Sequence, residues 1–242
     1  MYNFLILIYV KIMSKCLCII PARSGSKRIK NKNIIKINNK PLIYYTIKFA
    51  KKLKFVDEII FSSDSKNYIN IAKKYGVKNL HLRPKFLSGD SARTIDVIKH
   101  EINKFEKNKK KNFDLVLLLQ PTTPFRELSK FYKANNILKK QKSIDSVITV
   151  NNVKNYHPYR MKLIKKKILK NFVKSKKENF QDIKKLIKVY IRTGSMYFFK
   201  KKNLKKNSIV GSKIYGITTS GKYSINIDEH EDLILAKHFM RN

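Results

Sequence analysis

Acidic side chains are scarce: 16 Asp and Glu stand against 55 Lys and Arg, a formal net charge of +39. Such an excess ordinarily points to nucleic acid or a membrane surface. Here the cations are mostly lysine, spread from end to end among abundant Asn, Ile, Tyr and Phe. That is the profile of A/T-rich coding, so solvated lysine faces account for it and nucleic acid is not an expected partner. Cysteine is nearly absent. Cys16 and Cys18 lie two apart in a strand-like run, too close along one strand for an ordinary disulfide and without the second ligand pair of structural zinc. Reduced, buried thiols of a cytoplasmic protein are the expectation. Long apolar runs are missing too, since "FLILIYV" at residues 4 to 10 is far too short to span a bilayer. No small-residue cleavage site follows it, and Met13 is a natural start ahead of the first strand. Residues 1–12 therefore read as a dispensable extension, and no membrane is implied. Arginine is also rare, with eight positions in the chain. Those that stand inside motifs, Arg23, Arg83 and Arg126, are not easily ascribed to codon bias.

What is present alternates between apolar runs and helical spacing. "CLCII" reads as a strand, and "PLIYYTIKFAKKL" from Pro41 as a helix with proline in its first turn. "DEIIFSSD" reads as a strand ending at Ser63 and Asp64, and "NYINIAKKYGV" as a helix closed by Gly76. "DSARTIDVIKHEINKF" is a further helix with Asp90 as its cap. "FDLVLLLQPTTPFR" is a continuously apolar strand, hence buried on both faces and central in a parallel sheet, running into a Pro-bracketed turn. "SVITV", "SMYFF", "YGITT" and "YSINI" supply further strands, and "DLILAKHFM" a last helix. The alternation predicts an α/β fold with a doubly wound, largely parallel sheet. Its ligand is expected beyond the C-terminal strand ends, where Arg23, Asp64 and Gln120 gather. From residue 151 to 188 the chain is lysine-dense, with alternations such as "MKLIKKKILKNFV". This stretch is either a surface excursion or an arm that crosses to a partner subunit. No internal repeat is visible.

"CIIPARSGSKRIKNKN", Cys18 to Asn33, leaves the first strand through small residues and cations. Backbone N–H groups in a tight turn and fixed positive charges suit a polyanion such as a phosphate. Lys27, Arg28 and Lys30 read as loop solubilisers in so lysine-rich a chain. Arg126 either serves function or caps the turn after "TTPF".

Read together, "IIPARSGSKRIKNKN", "PLIYYTI", "IIFSSDS" with "IAKKYGV", "LRP" at Leu82 to Pro84, "LLLQPTTPFR" and "SINIDEHEDL" resemble the CMP-N-acylneuraminate synthetases, the acylneuraminate cytidylyltransferases. The order and spacing match from about Cys16 to the end, and the first motif and the "LQPTTPFR" turn are the specific parts. The resemblance implies a nucleotidyltransferase sheet of Rossmann-like type with a dimerisation insertion, spanning residues 13–242 with 151–188 as the arm. It implies transfer of the cytidylyl group of CTP to a nine-carbon 2-keto sugar acid, with Mg²⁺ as cofactor and a homodimer as the assembly. Legionaminate, pseudaminate and 3-deoxy-manno-octulosonate are the alternative acceptors; a non-enzymatic polyanion binder is the remaining reading. Carried over residue by residue, Arg23 and Lys32 hold the triphosphate, and Ala22, Ser26 and the Gly25 region supply backbone contacts. Asn33 contacts the nucleotide, and Arg83 with the Ala92 to Thr94 segment lies along cytosine and ribose. Gln120 faces the sugar and Asp228 coordinates Mg²⁺, so that Arg23, Lys32 and Asp228 form the catalytic set.

The departures from the family pattern are specific. Asn226 stands where the family usually has the first aspartate of a D-x-D pair, leaving Asn226 and Asp228 as the metal candidates. "TGSMY" from Thr193 replaces the usual "NGAIY". Phe180 stands where an arginine often precedes the glutamine, so the sugar carboxylate is expected at Arg192, Arg160 or a lysine. Tyr197 and Phe198 read as core strand residues, with the alternative that one face of their strand walls the sugar pocket and Tyr197 is the substrate contact. His157, in a loop before proline, reads as structural.

Overall fold

The computed structural model describes residues 14–174 and 186–241. The extension at residues 1–12 lies outside them, as do Phe180 and part of the lysine-dense stretch. Seven strands build the main sheet: β1 (Cys16–Pro21), β4 (Glu58–Ser63), β5 (Asn79–Leu82), β6 (Leu115–Leu118), β7 (Ser146–Asn152), β10 (Tyr190–Lys200) and β11 (Ile214–Thr218). Their order across it is β11-β7-β10-β6-β1-β4-β5. Two small ribbons complete the set, β2 (Lys36–Ile37) with β3 (Lys40–Pro41) and β8 (Lys162–Lys165) with β9 (Ile168–Asn171). Neighbours in the main sheet are parallel except at β10, which runs against both β6 and β7. The helices are α1 (Leu42–Lys52), α2 (Lys66–Lys74), α3 (Thr94–Lys109), α4 (Leu128–Lys140) and α5 (His230–Arg241).

Strand alternation decides which helix each side chain meets. Cys16, Cys18 and Ile20 point to one face, where Ile43 and Ile47 of α1, Ala72 of α2 and Phe131 and Leu138 of α4 cover them. Leu17 and Ile19 point to the other, under Ile98, Ile102 and Phe105 of α3. Both faces of β1 are thus dry, and each fully buried Leu, Ile or Phe contributes about 1.5–3 kcal/mol of apolar transfer free energy. The sheet is doubly wound, as its apolar runs predict. A third cluster packs α5, through Leu233 and Ala236, onto Ile29, Ile37, Leu42 and Ile227. It fastens the end of the chain beside the first loop. Both thiols are free and buried, and burial pushes the Cys18 thiol up to about 12, so it stays protonated and inert.

Local punctuation follows the residue types. Ser65 caps α2 by accepting from the Tyr68 amide. Gly76 ends it at φ +77, its amide donating to Lys73 O at 2.9 Å. Two expectations are overturned. Asp90 does not cap α3, whose cap position is Arg93 with no side-chain bond. "YSINI" is not a sheet strand: Gly221–Ser224 is a 3-10 turn, and beyond it the Ile227 amide donates to Thr122 O instead of to a ladder. Ile225 and Ile227 are buried alternately without a strand partner. The helix α4 is unforeseen, although Phe131, Ala134 and Leu138 sit on one face at helical spacing.

Candidate active site

Strands β6, β1, β4 and β5 end side by side, and the residues that follow β1, β5 and β6 face one cleft of about 610 Å³. Its walls include Arg23, Ser26 and Lys27 after β1, Arg83 after β5, Gln120 after β6, and Asn226 and Asp228 before α5. The loop after β1 is pinned at its start. The Ala22 amide donates to Ser62 O at 2.8 Å, while the amide and hydroxyl of Ser24 both donate to Asp64 at 2.8 Å. Asp64 therefore anchors the loop. Asn33 closes it by donating Nδ2 to Arg23 O at 2.8 Å, leaving Oδ1 of the same amide buried and without a partner.

The cations of this cleft are held by carboxylates of its own rim. Arg23 donates to Asp90 Oδ1 at 3.1 Å and to Gly89 O at 3.2 Å. Lys27 reaches the other oxygen of Asp90 at 2.5 Å, and Arg28 pairs with Glu229 at 3.0 Å. These three pairs are well exposed, so water screens them and they contribute little to stability. Lys32 is more enclosed, 13% exposed, and donates to Asp228 Oδ1 at 2.8 Å. Asn226 Nδ2 donates to the second oxygen of Asp228, so the Asn226 amide is turned with its oxygen buried and unpartnered. Arg83 is 6% exposed and its Nε has no partner. Burial depresses its pKa, opposed by the charges of Asp64 and Glu101.

Arg126 has a different task. Its guanidinium is buried away from the cleft and donates to Ser195 O at 3.2 Å, Thr46 Oγ1 at 3.0 Å, Gln120 O at 2.6 Å and Thr123 Oγ1 at 3.0 Å. The turn-capping alternative is the one realised. Burial lowers its pKa to about 9. The turn it holds presents Gln120, whose amide Oε1 lies against Gly194 of β10. A Cβ built at Gly194 would come within 2.8 Å of that oxygen, and φ is +75 there. The register of β10 against β7 shifts at this place, between Arg192 and Tyr197. Thr149 fills the bulge by accepting from Thr193 Oγ1 and the Met196 amide.

Of the residues singled out in the sequence, Arg23, Ser26, Lys32, Asn33, Arg83, Ala92, Thr94, Gln120, Asn226 and Asp228 line this one cleft. Ala22 is buried behind it, and Gly25 is exposed with nothing within 4 Å of where its Cβ would be. The Ser26 amide donates to Ser24 O at 2.9 Å within the turn. Tyr197 is a sheet residue. The alternation of β10 turns it with Phe199 toward the α3 side of the sheet, and it does not reach the cleft. Arg192 opens instead on a neighbouring depression of about 620 Å³ that shares Asn226 with the cleft. His157 is structural as read, its Nε2 meeting Ile187 O at 3.0 Å. Sequence reasoning missed Asp90 and Glu229, which hold the loop cations, and undervalued Lys27 and Arg28.

A doubly wound α/β sheet with a cation-lined cleft across its strand ends defines a nucleotide-handling protein. Residues 17–207 match the family model described as Cytidylyltransferase, and the chain belongs to that family. It is 33% identical over 192 residues to "Pseudaminic acid cytidylyltransferase and UDP-2,4-diacetamido-2,4,6-trideoxy-beta-L-altropyranose hydrolase" of Helicobacter pylori, covering 79% of this chain and 36% of that one. It is 36% identical over 137 residues to the N-acylneuraminate cytidylyltransferase of Escherichia coli, covering 57% and 31%. The chain thus spans about a third of the length of either relative. The solved CMP:2-keto-3-deoxy-manno-octonic acid synthetase complexed with CTP superposes with a TM-score of 0.67 at 15% identity, covering 94% of this chain and 99% of that one, a likeness of fold.

Proposed function

We propose that the chain transfers the cytidylyl group of CTP to the anomeric hydroxyl of a nonulosonic acid. One observation carries this reading. Among the described residues five buried side-chain polar atoms lack a partner, and three of them, Asn33 Oδ1, Arg83 Nε and Asn226 Oδ1, belong to residues lining the same cleft. A buried polar group left unpaired costs about 1–3 kcal/mol, a cost that a bound ligand removes. The loop cations beside them suit a triphosphate. In the reaction the anomeric oxygen bonds to the α-phosphorus, the bond to the bridging oxygen of pyrophosphate breaks, and the hydroxyl proton passes to solvent. Such a transfer depends on positioning and on neutralising spread negative charge. Arg23 and Lys32 supply that charge once the triphosphate displaces Asp90 and Asp228 from them. Arg83 and Asn33 take the nucleoside end, and Gln120 orients the acceptor.

Mg²⁺ belongs to the proposal. Among the described residues no group of three His, Cys, Asp or Glu could hold a metal by itself. The donors at hand are the Asp228 carboxylate and the free Asn226 Oδ1, which fits an ion that takes its other oxygens from phosphate and water. When bound, Mg²⁺ neutralises phosphate charge and orients the leaving group. The relatives' names, pseudaminic acid and N-acylneuraminate, support a nine-carbon acid as acceptor, with Arg192 in the adjoining depression available to its carboxylate. Buried, reduced thiols support a cytoplasmic setting. The test is pyrophosphate release with CTP, Mg²⁺ and a panel of N-acetylneuraminate, legionaminate, pseudaminate and 3-deoxy-manno-octulosonate. Release with CTP and a nine-carbon acid is expected. Release indifferent to CTP or GTP, or none with any acid, would reject the proposal.

Gly194 allows a separate check on Gln120. Gly194→Ala introduces a side chain at positive φ, which costs roughly 1–2 kcal/mol, and displaces the Gln120 amide. A shift of about 1 Å in a positioning group costs on the order of a hundredfold in rate. Acceptor kinetics unchanged by this variant would remove Gln120 from the sugar.

A homodimer through the arm is also proposed. All eight residues of the β8–β9 ribbon are exposed, including Ile164 at 76% and Ile168 at 63%, an apolar surface that a lone ribbon leaves wet. Replacing residues 162–171 by a short linker should halve the mass seen by light scattering. A mass unaffected by the deletion, beyond that of the deleted residues, would reject the arm.

A further inference from the structure

Behind the cleft, Ser62 of β4, His81 of β5 and Glu101 of α3 form a buried polar group amid apolar neighbours. Glu101 is fully buried, which is costly for a carboxylate unless its oxygens are satisfied. Ser62 Oγ donates to Oε1 at 2.6 Å, and His81 Nδ1 meets Oε2. Ser62 and His81 are direct neighbours across the β4–β5 ladder, so strands and helix together fix this carboxylate. Two residues after His81 the chain reaches Arg83, whose amide donates to Ser63 O at 2.8 Å. No described side chain hydrogen-bonds its guanidinium. Asp64, the other carboxylate acting on it, is occupied by Ser24, and Arg23 lies on the repulsive side of the balance.

We infer that Glu101 is a positioning residue for Arg83: a buried negative charge, tied by Ser62 and His81 and making no hydrogen bond to the guanidinium, yet holding it in place for the nucleotide. A carboxylate in contact with Arg83 would fill the donors that a ligand needs. One held off contact still attracts, because charges in a low-dielectric interior interact over longer distances than in water. An uncompensated cation would instead turn outward toward solvent.

The inference rests on CTP as the ligand, and the experiment separates the two. Calorimetric titration with CTP is run on the wild type, Glu101→Gln, Arg83→Ala and the double variant. Glutamine keeps the shape and an acceptor for Ser62 while removing the charge. The expected result is Kd raised about tenfold by Glu101→Gln in the wild-type background and less than twofold in the Arg83→Ala background, the non-additivity of residues acting as one unit. A merely structural role for Glu101 would weaken binding equally in both backgrounds and overturns the inference, as does an unchanged Kd. Should Glu101→Gln not fold, Ser62→Ala takes its place: it unties one oxygen, and weakening of a few-fold that vanishes in the Arg83→Ala background is expected, while no change or equal weakening in both overturns the inference. A wild type that binds no CTP overturns both readings; one that binds it while the Glu101 variants bind equally well overturns only this one.

Discussion

Arg126→Met is expected to lower the melting temperature by roughly 4–16 °C, from a loss of about 2–4 kcal/mol at about 2–4 °C per kcal/mol for a chain of this size. The side chain faces away from the cleft. It is a buried cation with four acceptors and no carboxylate, joining the turn after β6 to β10 and to α1. Its removal takes the donor from the Ser195 carbonyl and the Thr46 hydroxyl, while Gln120 O keeps the Thr123 amide and hydroxyl. Relief from burying the charge returns only part of that loss. Turnover should fall as well, because Gln120 loses the frame that aims it. Lysine should not rescue the site, since a single ammonium cannot span acceptors that a planar fork meets in several directions. Differential scanning calorimetry of both variants decides the matter: a melting temperature within about 1 °C of wild type would show that the turn stands without its clamp.

Asp228→Asn should abolish activity at any practical Mg²⁺ concentration. Among the described residues no other carboxylate is placed to replace it: Asp232 turns back to accept from the amides of Asp228 and Glu229 at 2.9 Å, and Glu229 pairs with Arg28. Lys32→Ala should slow turnover by an amount corresponding to about 2–4 kcal/mol, the scale on which one charge-assisted hydrogen bond stabilises a transition state in an enclosed site. Arg23→Ala should act similarly, and Lys166→Ala, in the turn of the exposed ribbon, should change nothing. Asn226→Asp should shift the Mg²⁺ dependence the other way, tightening it about tenfold, or roughly 1.4 kcal/mol. The measurement is initial rate against Mg²⁺ concentration for each variant. Equal losses at Arg23, Lys32 and Lys166 would mean diffuse charge and no cradle; near-normal rates in Asp228→Asn would put the metal elsewhere.

The order of elements was legible wherever burial imposes a period. "CLCII" and "LVLLL" have continuous apolarity because helices cover both faces, and Gly76 announces its helix end by the φ it must adopt. The chemistry-bearing residues after the strands were legible for the same reason, since parallel topology brings strand ends together. What stayed hidden depends on contacts between distant segments. Nothing local distinguishes Asp90 as a partner of Arg23 and Lys27 from Asp90 as a helix cap. "YSINI" has strand composition, but its backbone finds Thr122 before it finds a ladder. Tyr197 and Phe198 differ by one position, and the side each faces is fixed only by the registry of β10 with its neighbours. Glu101 carries no signal except an acid on an otherwise apolar helix face.

The reversed strand β10 governs how the molecule can be assembled. It is made late, yet it lies between β6 and β7, so neither of those strands has its partner on that side until residue 200 has been synthesised. On a ribosome adding about 5–20 residues per second, the nascent chain therefore shows two unpaired, strongly apolar strand edges for several seconds. Such edges template mispairing between chains. A net charge of +39 works against such encounters, because like-charged chains repel.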